Sequence, residues 1–352
     1  MHVVGLGTAT PEHRYTKADC WEAFRASPWF GRLDRRARMV TELVLLRDNG
    51  IEARRLAVPT LADVFAIDPD TLHARFAAHA PRLAAEAATR ALADAGVAPS
   101  AIDAVIVSTC TGYLCPGLTS YVTEALGLRP DAQALDLVGQ GCGAALPNMR
   151  TGAALLASGS AGHVLSVCVE VSSAAMYLDN DAGVLISACL FGDGAGAAVL
   201  AADPVAGRRP VRWRAAASRV DPARRDALRF EHRGGLLRNI LTREVPVLAA
   251  DSAARVLAQV LDREGLQRHQ VDAWVWHAGG RDVLAALRAR LDLDADDVAH
   301  SAAVLREYGN LSSAFVYFVL QAALAADAPG GLWWLASFGA GFSSHGALLE
   351  VG

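Results

Sequence analysis

Leu83–Asp94 reads LAAEAATRALAD and Leu248–Gln259 reads LAADSAARVLAQ, so that leucine, alanine and arginine recur at matching positions. Both stretches are alanine-rich with apolar residues at helical spacing, which predicts a helix in each case. Each is followed by a short apolar run, Ile102–Ser108 (IDAVIVS) and Val271–His277 (VDAWVWH), of the kind typical of a buried strand. The chain thus contains one helix-and-strand unit twice.

Two further matches follow in the same order and at similar offsets. Residues 142–145 (CGAA) correspond to residues 310–313 (NLSS), and the glycine-rich run that begins at Asp193 corresponds to the one that begins at Gly339. Four matches in one order indicate a duplicated chain. Duplicated halves that interleave strands with helices predict an α/β fold of two mixed sheets, with helices between and outside them. A polar, Arg- and Pro-rich boundary near residues 202–226 gives halves 1–205 and 206–352.

The composition is that of a globular enzyme. The 352 residues are 53% hydrophobic and 20% charged, with a formal net charge of -4, which disfavours nucleic acid as a partner. No basic leader and no apolar run of about 18 residues is seen, so we expect a cytoplasmic protein without stable membrane insertion. The six cysteines form no CxxC pair, so neither a disulfide framework nor a metal site is predicted.

Three polar residues lie where an apolar, strand-like run meets a small-residue or helical stretch: Cys142, His277 and Asn310. A pseudo-twofold relation between the halves could bring them together. At a helix N-terminus, and beside an imidazole, the thiol of Cys142 would have a lowered pKa and act as a nucleophile towards a thioester. His277 and Asn310 offer two donors that could hold a carbonyl oxygen as it becomes an enolate. Decarboxylation of a malonyl thioester needs such donors and no metal or redox cofactor.

Simpler interpretations exist for each of the three residues. Cys142 could be a small residue packed beneath a helix, His277 a structural histidine, and Asn310 an N-cap, a role that asparagine fills well. The glycines on both sides of Cys142 favour an accessible sulfur. Capping by Asn310 is compatible with catalysis.

The chain resembles the type III polyketide synthases, the chalcone and stilbene synthase family of the thiolase-fold condensing enzymes, along nearly its whole length. The matching motifs are Gly7–Pro11 (GTATP), Gly141–Gly143 (GCG), Leu190–Gly194 (LFGDG), Tyr308–Ser313 (YGNLSS) and Phe338–Gly341 (FGAG). In the last motif, Ala340 stands where plant members usually have proline.

The resemblance implies a homodimer of thiolase-like αβαβα layers built from the two duplicated halves. An acyl-CoA starter would be loaded onto Cys142, and malonyl-CoA would be decarboxylated while His277 and Asn310 hold the enolate. Repeated condensation would give a polyketide that cyclises. Phe191 matches the family phenylalanine between the CoA tunnel and the inner cavity, although a core aromatic would read the same way.

The resemblance also assigns substrate positions. Five of them match residues that line the family's cavity, namely Cys110, Thr111, Ser172, Ala175 and Ser312. Cys115 matches the residue that crosses the dimer interface. Because these side chains are small, the hypothesis is a fatty acyl-CoA starter and an alkylresorcinol or alkylpyrone product, as in the bacterial alkylresorcinol and alkylpyrone synthases.

Two assignments concern the ends of the tunnel. Arg54 and Arg55 occupy the family's basic CoA-binding segment, and Gly279 and Gly280 match the backbone along the pantetheine. The family's second gatekeeper phenylalanine falls at Arg238 or Asn239, depending on the alignment.

Three other functions stay open. A ketoacyl carrier-protein synthase of the initiating kind shares the cysteine, histidine and asparagine but performs one condensation. The short sequences that follow His277 and Asn310 are more similar to those of polyketide synthases. A non-catalytic acyl-CoA-binding scaffold and a cysteine hydrolase are the other two alternatives, and the hydrolase would release free acid without consuming malonyl-CoA.

Overall fold

The computed structural model describes all residues from Met1 to Gly352. The strands are β1 (His2–Ala9), β2 (Arg14–Thr16), β3 (Ala53–Arg55), β4 (Ala104–Ser108), β5 (Gln133–Leu137), β6 (His163–Glu170), β7 (Gly194–Ala201), β8 (Val211–Val220), β9 (Leu228–Arg233), β10 (Leu236–Leu241), β11 (Val271–Trp276), β12 (Gly331–Gly339) and β13 (Ser343–Val351). The α-helices are α1 (Lys17–Ala26), α2 (Pro28–Arg32), α3 (Arg35–Leu46), α4 (Pro69–Ala95), α5 (Leu118–Leu126), α6 (Ala145–Ala157), α7 (Ala182–Leu190), α8 (Val245–Glu264), α9 (Arg281–Leu291), α10 (Ala299–Tyr308) and α11 (Phe315–Ala325).

The duplication predicted from the sequence is present in the strand topology. In the first half β1 pairs antiparallel with β7, β7 pairs antiparallel with β6, and β6 pairs parallel with β4. In the second half β8, β13, β12 and β11 pair in the same order and with the same directions. The repeated alanine-rich sequences lie in α4 and α8, as predicted.

The strands form one sheet and not the two that the sequence predicts. Their order is β11-β12-β13-β8-β1-β7-β6-β4-β5, and the halves join between β8 and β1 at a single paired position, His2 with Arg212. The short hairpins β9–β10 and β2–β3 lie outside this sheet. The two halves of the sheet are therefore continuous but held together by little main-chain pairing.

Two buried helices form the central layer. α6 packs on β4, β6 and β7 of the first half and on β12 and β13 of the second. α11 likewise packs on strands of both halves, and seven of its eleven residues are buried. With α4 covering the outer face of the first half and α8 covering that of the second, the layers are α, β, α, β and α. None of the helices combines the length and apolar character that crossing a bilayer requires.

A buried polar network joins the two central helices. On α6, the side-chain amide of Asn148 donates to Ile106 O, Val167 O and Ser108 Oγ at 2.9–3.2 Å, and it accepts from Ser166 Oγ at 2.7 Å. Ser166 Oγ also lies 2.9 Å from the Tyr317 hydroxyl of α11. Because every polar atom of Asn148 is paired, the network fixes α6 against the sheet and against α11.

His345 makes stability depend on pH. It lies on β13 with 4% of its surface exposed, and its Nδ1 is 2.9 Å from Ser218 Oγ while Nε2 has no partner. Burial, with a smaller effect of Arg150, lowers the pKa of His345 to about 4. The folded state therefore favours neutral histidine, and its contribution to the free energy of unfolding is complete above about pH 6.5 and is lost as the pH falls towards 4.

We expect the free energy of unfolding to fall by about 2 kcal/mol more in the wild type than in His345→Gln between pH 7.5 and pH 5, because glutamine does not titrate. Urea denaturation at the two pH values measures this difference. The exposed His73, replaced in the same way, is the control. Equal pH dependence in the wild type and His345→Gln would contradict the assignment.

Candidate active site

Cys142 lies in a single helical turn, Gly141–Gly143, that leads directly into α6. Gly141 has a φ of +57°, and a Cβ there would come within 2.9 Å of the backbone nitrogen of Ala340. Glycine is needed because an L side chain would meet both the backbone strain and this contact. The cysteine is thus presented at the N-terminal end of a buried helix, as its sequence predicts.

His277 follows β11 directly and is 2% exposed. Its backbone N–H donates to Ala336 O at 2.9 Å, and its ring meets Phe315 and Phe338 edge-on, with centroid distances of 5.4 and 5.7 Å. Nδ1 is buried without a hydrogen-bond partner. The ring is therefore oriented by aromatic packing and not by a carboxylate or amide, which the alternative of a cysteine hydrolase generally requires.

Asn310 is fixed on both sides by main-chain hydrogen bonds. Its N–H donates to Leu190 O at 2.9 Å and its carbonyl accepts from Gly192 N at 3.0 Å, so that it bridges to Phe191 like a strand. Its Oδ1 accepts from Ser312 N at 2.8 Å, and Nδ2 donates to Gly279 O at 3.2 Å. The amide therefore stabilises the turn before α11 while its nitrogen is directed to the side of the site that holds Gly279.

The three residues line one cavity, and Cys142 also opens into a second. The outer cavity contains Cys142, His277 and Asn310 with Gly279 and Gly280. The inner cavity is lined by 20 residues, of which 12 are hydrophobic. Cys142, Phe191 and Leu228 line both cavities, which places the thiol and the predicted gatekeeper at the junction.

The inner cavity contains most of the predicted substrate residues: Cys110, Thr111, Ser172, Ala175, Ser312 and Phe191. Cys115 does not line it and is exposed on the loop before α5. Asn239 lines the cavity and donates to Ser187 Oγ at 2.7 Å. Arg238 instead pairs with Asp179 and Glu231. Of the two candidates for the second gatekeeper position, Asn239 is therefore the one beside the cavity.

Three side chains act on the Cys142 thiol. The Cys110 thiol, as a hydrogen-bonding neighbour, holds the pKa of Cys142 well below its usual value; His277 and Ser312 act in the same direction, and burial opposes them. Ser312 Oγ donates to Cys142 Sγ at 3.2 Å. The same contact with Cys142, together with burial and Glu170, raises the pKa of Cys110 well above its usual value. Of the two thiols, Cys142 is therefore the one that loses its proton more readily.

Glu170 is a buried carboxylate that the sequence analysis missed. It ends β6 with none of its surface exposed. Six donor atoms lie within hydrogen-bond distance of its oxygens, which are Thr109 Oγ1, Cys110 N, Cys110 Sγ, Thr111 Oγ1, Ser312 Oγ and Ser313 Oγ. Glu170 and Cys142 compete for the single protons of the Cys110 thiol and the Ser312 hydroxyl. Burial raises the pKa of Glu170 in spite of these bonds. A charged residue at the end of an apolar strand was the one signal in the sequence.

The structure corrects the expectation that Arg54 and Arg55 bind CoA, because neither lines the outer cavity. Arg54 is buried, with its guanidinium bonded to backbone carbonyls, and Arg55 pairs with Glu307. The cations around the outer cavity are Arg47, Arg243 and Arg281. Successive side chains of a strand point to opposite faces, so one of two adjacent arginines on a short strand points inward. The sequence alone does not tell which of the two faces a ligand.

Family models of the chalcone and stilbene synthases match the chain over most of its length, the N-terminal domain at residues 2–204 and the C-terminal domain at residues 217–346. The chain belongs to the chalcone and stilbene synthase family. It is a type III polyketide synthase, an acyltransferase that condenses acyl-CoA thioesters, as the sequence motifs predict.

Curated relatives of this family member include 3,5-dihydroxyphenylacetyl-CoA synthases. The one from Streptomyces toyocaensis is 29% identical over 99% of this chain and 89% of its own length. The one from Amycolatopsis orientalis is 33% identical over 74% of this chain and 71% of its own length.

Solved structures confirm the thiolase-like α/β fold. The 1,3,6,8-tetrahydroxynaphthalene synthase of Streptomyces coelicolor, a bacterial type III polyketide synthase, is 25% identical with a TM-score of 0.87 and 99% of both chains covered. The type III polyketide synthase domain of Steely1 from Dictyostelium is 22% identical with a TM-score of 0.84, covering 99% of this chain and 98% of that one.

Removal of the hydroxyl that donates to Cys142 should make the thiolate less stable and so raise the pKa of Cys142. In Ser312→Ala, we expect the pH midpoint for alkylation of Cys142 by iodoacetamide to rise by about one unit, because a hydrogen bond to a charged group is lost. Mass spectrometry of the peptide that contains Cys142 measures the rate at each pH. Ser172→Ala is the matched control, since Ser172 lines the same cavity and its hydroxyl has no partner. A midpoint that moves equally in both variants would contradict the role of Ser312.

Proposed function

We propose that Cys142 is the acyl-carrying nucleophile of this synthase and that acyl-CoA and malonyl-CoA are its substrates, with no metal or redox cofactor. The observation that carries the proposal is the position of Cys142 at the junction of the two cavities. A pantetheine arm that enters through the outer cavity along Gly279 and Gly280 would reach the thiol at its inner end. The growing chain would then occupy the inner cavity.

The reaction follows from these groups. The Cys142 thiolate attacks the thioester carbonyl of the starter, the bond between the carbonyl carbon and the CoA sulfur breaks, and CoA leaves as a thiolate that takes a proton from solvent. Malonyl-CoA then loses CO₂, and the electron pair of the broken carbon–carbon bond forms an enolate whose oxygen is held by N–H groups of His277 and Asn310. The enolate carbon attacks the acyl-cysteine carbonyl, which forms a carbon–carbon bond and releases the thiolate of Cys142. The extended acyl-CoA can be reloaded for another round.

We propose that the starter and extenders are short, malonyl-derived units that close to a polyhydroxylated aromatic product. Although most of its lining is apolar, the inner cavity also presents Thr111, Ser187, Asn239 and Arg229, polar groups that suit the carbonyl oxygens of such an intermediate. Met176, Tyr177 and Phe230 add bulk beside the small side chains of the same cavity. The dihydroxyphenylacetyl-CoA and tetrahydroxynaphthalene synthases support the same product class.

A fatty acyl starter leading to an alkylresorcinol or alkylpyrone is the second candidate. It is favoured by the apolar lining residues Leu56, Val184 and Leu228 and by Asn239, a smaller side chain than the phenylalanine expected at the second gatekeeper position.

Incubation with labelled malonyl-CoA, alone and with a panel of acyl-CoA starters, distinguishes the two candidates. We expect an aromatic product from malonyl-CoA alone, which mass spectrometry identifies by its count of labelled units. Product formation that requires a starter of about eight carbons or more would favour the second candidate. A single condensation that uses malonyl carrier protein and not malonyl-CoA would favour the ketoacyl carrier-protein synthase alternative.

Variants at His277 and Asn310 should separate enolate formation from thiol activation. In Asn310→Ala we expect the rate of malonyl-CoA decarboxylation to fall by about 100-fold or more, because one oxyanion donor is lost, with the pH profile of Cys142 alkylation unchanged. His277→Ala should lower the decarboxylation rate and also raise the alkylation midpoint, since His277 lowers the pKa of Cys142. Undiminished decarboxylation by Asn310→Ala would refute the assignment.

We also propose that the synthase is a homodimer. β5 is the edge strand next to β4, and the nearby Tyr113 and Val138 are 70% and 60% exposed. Large apolar side chains exposed beside an open sheet edge are typical of an interface. Sedimentation analysis of Tyr113→Lys against the wild type tests this surface, and a wild type that sediments as a monomer would exclude the dimer.

A further inference from the structure

Arg54 is a buried cation that makes no contact with a carboxylate. It lies on β3 with 7% of its surface exposed. Its guanidinium donates to Ala188 O at 2.8 Å, to Phe191 O at 3.0 Å and to Cys20 Sγ at 3.2 Å. Burial of an ion is costly unless hydrogen bonds replace its water. The positive charge of Arg54 is therefore stabilised only where these three acceptors surround its guanidinium.

Those groups are the C-terminal end of α7. The last carbonyls of a helix have no partners within the helix, and the helix dipole makes this end negative. Ala188 lies in the last turn of α7 and Phe191 is its C-terminal cap. The guanidinium of Arg54 bonds both carbonyls from a single Nη1, so it closes the end of the helix immediately before the gatekeeper enters the cavity junction.

The same contacts reach Asn310. Leu190 O and Gly192 N, on either side of Phe191, hold the backbone of Asn310. The aliphatic part of Arg54 also packs beneath Gly309, where a Cβ would be 3.1 Å from Arg54 Cγ. Gly309 has a φ of +70°, which disfavours any other residue there. Arg54 thus contacts the chain on both sides of the pairing between Phe191 and Asn310.

We propose that Arg54 is a positioning residue for the synthase: it fixes the end of α7 and thereby places the Asn310 amide and the Phe191 ring. It acts on enolate formation and not on the reactivity of the thiol. This role rests on the proposed function of Asn310 in decarboxylation. Lysine cannot reproduce it fully, because an ammonium lacks the planar fork that reaches two carbonyls and a sulfur together.

The test compares Arg54→Met and Arg54→Lys with Arg55→Met, a control on the same strand whose side chain pairs with Glu307. The measurements are kcat and KM for decarboxylation of malonyl-CoA and the pH profile of Cys142 alkylation. We expect kcat to fall by about 10- to 100-fold in Arg54→Met, with KM within about threefold of the wild type and the alkylation profile unchanged. Arg54→Lys should lose less activity, and Arg55→Met should match the wild type.

Wild-type kcat in Arg54→Met, an equal loss in Arg55→Met, or a shifted alkylation profile in Arg54→Met would overturn the proposal. If circular dichroism shows that Arg54→Met does not fold, the folded Arg54→Lys decides: a lowered kcat with an unchanged alkylation profile supports the role, and wild-type kcat removes it. A wild-type enzyme that does not decarboxylate malonyl-CoA would refute the proposed function itself. That result differs from a failure of the Arg54 proposal alone, in which the wild type decarboxylates malonyl-CoA and the Arg54 variants do so at the same rate.

Discussion

The main-chain pairing of Leu190 and Gly192 with Asn310 is the constraint on which the geometry of the site depends. It joins the loop after α7, in the first half, to the loop before α11, in the second. Because both bonds use backbone atoms, the pairing does not depend on the side chains that face the cavities. It places the Phe191 ring between the outer and inner cavities. It also turns the Asn310 side chain towards Gly279, which lies two residues after His277.

The two halves use equivalent positions for different tasks. Ser108 and His277 both end the strand that follows the repeated helix, yet Ser108 is bonded to Asn148 within the core, whereas His277 keeps a ring nitrogen unpaired beside the cavity. Cys142 and Asn310 both precede the buried helix of their half. One half therefore supplies the nucleophile and the other supplies the donors for the enolate, around one pseudo-twofold axis.

The sequence predicts the features that lie where composition changes abruptly. Cys142, His277 and Asn310 stand at such points, and the repeated helices mark the duplication. Glu170 was missed because its donors come from segments far apart in the sequence, around Thr111 and Ser313, which folding alone brings together. β8 was hidden because its outward arginines resemble a solvated connection. The inward direction of Arg54 depends on the register of a three-residue strand, which the sequence does not specify.

The sharing of the central helices between the halves has a consequence for biosynthesis. α6 belongs to the first half by sequence, but part of its surface is covered by β12 and β13, which are the last strands of the chain. When only the first 205 residues have left the ribosome, the side of α6 that later packs on β12 and β13 is exposed to solvent. The order of translation thus leaves the interior incomplete until the carboxyl terminus has emerged, and the interval before then is the period in which the protein is most exposed to aggregation.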